Sequence, residues 1–139
     1  MSVIRVVSFR VGLLAAAALF LMPALFSLRA QSAAHLVVIK MVEKPGGHFA
    51  FEPAAFSVQR GDTVRFVQSS TAPHNVHFKQ TPKGAKLGTD ATGSYVIGDG
   101  ATYNLVVDAR FIDGTYEFIC DPHESVGMKG TMTVGTSAK

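Results

Sequence analysis

The sequence predicts an all-β domain, an antiparallel Greek-key β-sandwich, and three observations carry that expectation. Short runs rich in Val, Ile, Thr, Tyr and Phe recur from His35 onward. Gly, Asp and Pro separate them, and none of the runs shows the apolar period of an amphipathic helix. In order, the expected strands are 36–42 (LVVIKMV), 55–59 (AFSVQ), 63–68 (TVRFVQ), 74–78 (HNVHF), 95–97 (YVI), 101–107 (ATYNLVV), 115–120 (TYEFIC) and 130–134 (GTMTV). The turns fall at 45–47 (PGG), 60–62 (RGD), 98–100 (GDG) and 113–114 (DG), where Gly and Asp supply turn geometry. Residues 79–93 have no strand pattern and are expected to form an excursion with at most one helical turn. Met41, Phe51, Phe56, Phe66 and Met132 are expected to pack in the interior.

Residues 1–30 have a different character. Arg5 and Arg10 precede an apolar stretch from Val11 to Leu28, followed by small residues up to Ala34. That is the pattern of an export signal, with cleavage after Ala30 or as late as Ala34. A retained anchor is the rival reading, weakened by Gly12 and Pro23. Three of the 13 Lys and Arg (Arg5, Arg10 and Arg29) belong to this segment, so the rest of the chain balances its 10 Asp and Glu. The formal charge of +3 therefore gives no reason to expect nucleic acid or an anionic membrane as partner. The remaining 31–139 has the length of one domain.

Cys120 is the only cysteine, so an exported chain could not close an internal disulfide with it. It opens CDPHESVGM, which places His123 and Met128 within nine residues of a strand end. A thiolate, an imidazole and a thioether suit copper, and a His2Cys site with a weak axial Met is an arrangement that transfers electrons. The second histidine is expected at His74, in APHNVHF, on a strand whose Val76 and Phe78 share its face. His35, His48 and His77 are read as solvated or turn residues. Two rival readings of Cys120 are a buried small hydrophobe and a nucleophile paired with His123 or His74. The nucleophile leaves Met128 unexplained.

The segments 49–66 (FAFEPAAFSVQRGDTVRF), 72–78 and 115–134 (TYEFICDPHESVGMKGTMTV) resemble the plastocyanins, within the cupredoxins, from about Leu36 to Val134. The resemblance implies that His74, Cys120, His123 and Met128 hold one copper ion cycling between Cu(II) and Cu(I). It implies that the Asn75 backbone N–H donates to the Cys120 sulfur. Pro122, which has no N–H, leaves the thiolate with fewer donors. It further implies that electrons pass at the exposed edge of His123, inside an apolar rim of Phe49, Pro73, Pro122 and Val126. Two departures stand out: Ile119 replaces the tyrosine that precedes the cysteine in plant plastocyanins, and Lys79, Lys83 and Lys86, opposed only by Asp90, occupy the adjacent excursion. A remote acidic docking site therefore does not carry over.

The expected function is a small exported blue copper protein, in the periplasm or a lumenal space, that shuttles single electrons between redox proteins. It is expected to be a monomer, to be no enzyme, and to leave its mature domain outside the membrane. The alternative from another class is a periplasmic copper-carrying or copper-storage protein.

Overall fold

The computed structural model describes residues 33–135, and the expected export segment, residues 1–30, lies outside them. Eight strands run in order: β1 (Leu36–Lys44), β2 (His48–Glu52), β3 (Ala55–Val58), β4 (Thr63–Ser69), β5 (His77–Gln80), β6 (Thr102–Val106), β7 (Gly114–Ile119) and β8 (Lys129–Val134). One sheet has the order β2-β1-β4-β6 and the other β3-β8-β7-β5. Among the described residues the helical elements are two 3-10 segments, Gly88–Ala91 and Asp121–Val126. No helix there is long and apolar enough to cross a membrane.

Alternation along each strand builds the interior. In β4, Val64, Phe66 and Gln68 are buried while Thr63, Arg65 and Val67 are partly exposed, the two-residue period of a sheet with one covered face. Ile39 and Met41 of β1, Phe51 of β2, Phe118 of β7 and Met132 of β8 join them. The Phe118 ring is the hub, with Phe51 at 4.9 Å, Phe66 and Phe78 at 5.8 Å and Phe56 at 6.0 Å between centroids. Gly130 lies opposite Phe118 on β8, and a Cβ there would collide with that ring and stand 2.9 Å from the Ala54 carbonyl. Burial of each such side chain contributes about 1.5–3 kcal/mol.

Several expectations are revised. Each sheet contains one parallel pair, β1 with β4 and β3 with β8, beside its antiparallel pairs. Strand propensity carries no information on direction, which depends on how the crossovers run. β2 falls outside the expected strands, although Phe49 and Phe51 alternate directly after the Pro45–Gly47 turn. Residues 95–97 form no strand. Val96 alone makes an isolated bridge, to His74, while Tyr95 and Ile97 face solvent. His74 correspondingly lies outside β5, which starts at His77.

Candidate metal centre

The loop after β7 is wound by its own backbone. Cys120 caps the 3-10 segment Asp121–Val126, and Pro122 sits in its first turn, where a missing N–H costs nothing. Gly127 ends it at φ +92°, the left-handed region open to glycine, and its N–H reaches the Glu124 carbonyl at 3.1 Å. Three bonds of 3.1 Å then close the loop: His123 N–H to Cys120 O, Met128 N–H to His123 O, and Cys120 N–H to Met128 O. Met128 is thereby clamped beside Cys120 and is fully buried. His74 arrives from the other direction, held by two backbone bonds to Val96 of 3.2 and 2.7 Å.

His74 Nδ1 and His123 Nδ1 stand 3.5 and 3.4 Å from Cys120 Sγ, and 3.1 Å from each other. These edges match donors around one first-row ion bonded at roughly 2.0–2.3 Å. Among the described residues this is the one cluster of three His, Cys, Asp or Glu donor atoms so close together. His74 and Cys120 are buried, and His123 is half-buried. Burial, then the neighbouring charge of His123, pulls His74 down to about 4, and burial lowers His123. Both imidazoles are therefore neutral at pH 7, with lone pairs to give. Burial pushes the Cys120 thiol up, against the N–H groups of Asn75 and His123, so metal binding must expel its proton.

Side chains behind the donors fix them. His74 Nε2 lies 2.7 Å from Ser70 Oγ. Asn75 donates through Nδ2 to Asp121 Oδ2 at 2.7 Å, and accepts at Oδ1 from the Asp121 N–H at 2.9 Å, tying the ligand segment to the loop. The Asn75 amide, against the opposing effect of burial, and then His77 hold Asp121 below the usual carboxylate range. His77 is thus no free surface histidine. Its Nδ1 pairs with Asp121 Oδ1 at 2.7 Å. Asp90 likewise does not oppose the excursion lysines, because it pairs with Arg110 at 2.6 Å, while Lys79 lies 4.0 Å from Glu124. Nothing in the residue spacing signalled the roles of Ser70 or His77.

The Phe49 ring lies 4.0 Å from that of His123 and meets His74 edge-on at 5.2 Å. Pro122 and Val126 are exposed beside the ligand loop, Pro73 is exposed next to His74, and Ile119 is buried.

The family model described as copper binding proteins, plastocyanin/azurin family, matches residues 38–135. The chain belongs to the plastocyanin/azurin family. Copper is accordingly the metal to weigh against the donors of this plastocyanin-like cupredoxin, and two imidazoles, a thiolate and a thioether fit it. Plastocyanin of Prochlorothrix hollandica is 39% identical over 84 residues, 60% of this chain and 62% of that protein, slightly less than two thirds of its length. Plastocyanin of Scenedesmus fuscus is 36% identical over 90 residues, 63% of this chain and 89% of that one. Among solved structures, oxidised plastocyanin of Dryopteris crassirhizoma superposes with a TM-score of 0.57 at 30% identity, covering 71% of this chain and 100% of that one.

Proposed function

We propose that residues 31–139 form one domain that carries single electrons between redox proteins, with copper held by His74, Cys120, His123 and Met128. When bound, copper supplies a one-electron Cu(II)/Cu(I) couple. The chain's part is to hold the donors still. Cys120 and Met128 are fixed by loop closure, and His74 by its bonds to Val96 and Ser70. The observation that carries the reading is the buried triangle of 3.1–3.5 Å, whose half-buried corner is His123. Membership of the plastocyanin/azurin family supports reading the domain as a carrier and not an enzyme. The pattern of residues 1–30 supports export to a periplasmic or lumenal space, where the domain acts as a monomer.

The decisive experiment is Cys120→Ser. The copper-loaded wild type should show an intense blue charge-transfer band and the variant none; a variant that keeps the band removes Cys120 from the site. Electrons are proposed to pass at the His123 edge, inside the rim of Phe49, Pro73, Pro122 and Val126. Val126→Lys should slow bimolecular electron transfer with the blue band unchanged, because a charge on the rim hinders close apolar approach. Equal second-order rates for variant and wild type would move the port elsewhere.

A further inference from the structure

The second nitrogen of His74 faces a side chain that can hydrogen-bond in either direction. An imidazole that gives its Nδ1 lone pair to a metal carries its proton on Nε2. His74 is fully buried, so that N–H needs an acceptor, and Ser70 Oγ stands 2.7 Å away. A hydroxyl, unlike a carbonyl, can also donate. Were Ser70 to donate, the His74 proton would sit on Nδ1, pointing at His123 Nδ1 3.1 Å away and at Cys120 Sγ, and would block the metal.

The turn around Ser70 offers its hydroxyl an acceptor other than His74. Gln68 is completely buried, and its amide nitrogen donates to the Ala72 carbonyl and to the Ser70 carbonyl at 3.1 Å, and lies 3.4 Å from Ser70 Oγ. The Ser70 hydroxyl has its own acceptor in the Ala72 carbonyl at 3.5 Å. With its hydrogen turned to Ala72, Oγ keeps a lone pair for His74 Nε2–H. Gln68 Oε1, meanwhile, has no hydrogen-bond partner. A buried amide that leaves its oxygen unpaired while its nitrogen serves this turn marks the nitrogen's contacts as the ones the fold retains.

We propose that Ser70, oriented by Gln68, is a positioning residue that holds His74 in the Nε2–H tautomer and so keeps Nδ1 free for copper; this rests on the reading of His74 as a ligand. Groups behind metal-binding histidines commonly change metal affinity by about 10–100-fold when removed. The test uses the metal-free protein at neutral pH, with the His74 ring nitrogens read by long-range proton–nitrogen NMR and Cu(II) affinity by chelator competition. Wild type should show the Nε2–H form. Ser70→Ala should show mixed tautomers and an affinity about 10–100-fold weaker, and Ser70→Thr, which keeps the hydroxyl, should restore both. Wild-type tautomer and affinity in Ser70→Ala, or equal losses in Ser70→Ala and Ser70→Thr, would overturn the proposal. Should Ser70→Ala fail to fold, an Nδ1–H tautomer in the wild type overturns it and an Nε2–H form with a functional Ser70→Thr supports it. His74→Ala binding Cu(II) as tightly as wild type would instead defeat the ligand reading itself.

Discussion

The aromatic body and the metal end of this sandwich solve opposite problems. In the body, Phe51, Phe66, Phe78 and Phe118 meet edge to face at 4.9–6.0 Å. Two of its polar groups are well paired: buried Asp62 accepts from the His35 and Gln59 N–H groups at 2.9 and 2.8 Å, and the Tyr116 hydroxyl both donates to and accepts from the Ile112 backbone at 2.8 Å. At the metal end, two imidazoles and a thiol are buried against one another, and each is pushed toward its uncharged form. The body gains free energy from its packing. The metal end holds three donors in place for an ion, and without the ion their proximity is tolerated because the body and the loop backbone enforce it.

The sharpest way to break this comparison is to damage the body alone. Phe66→Ala should lower unfolding free energy by about 3–5 kcal/mol, measured by denaturant titration of the copper-loaded protein, with the visible spectrum unchanged. A spectrum that changes along with stability would show that the two regions are not separable.

Acid should act on the other region. His74 is held at about 4 in the fold against an ordinary value of 6.5. As pH falls through 6.5 the unfolded chain takes up this proton while the folded one does not, so acid favours unfolding until the folded imidazole also titrates. Metal-free protein should be most stable above about pH 6.5 and lose about 3 kcal/mol by pH 4, since each tenfold change in proton affinity between the two states is worth about 1.36 kcal/mol. His123, lowered in the same direction, adds to the slope. The effect sharpens the comparison if His74→Gln flattens the curve; an unchanged slope in that variant would place the acid sensitivity elsewhere.

A smaller effect is expected at the seam between the two regions. Asn75→Ala removes both of its bonds to Asp121, and should cost roughly 1.5–3 kcal/mol because one of them is made to a charged carboxylate. It should also speed copper loss in a chelator competition. Unchanged release would mean that loop closure through Met128 holds the donors without this tie.

Local chemistry was legible in the chain. The donors Cys120, His123 and Met128 lie within one loop, so spacing alone gathers them, and strands such as β4 announce themselves by alternation because a half-buried strand must put every second residue inside. The brevity of β5, the missing strand at 95–97 and the overlooked β2 show where that signal fails: a strand exists only when a partner offers its hydrogen bonds, and the partner is chosen by distant chain. His74 could be named from its surroundings in sequence. Its approach to Cys120, the parallel pairings of β1 with β4 and β3 with β8, and the Ser70 and His77 contacts were decided by the tertiary structure. Periodicity reports which face of an element is buried, whereas the identity of a hydrogen-bond partner tens of residues away depends on how the faces are finally stacked.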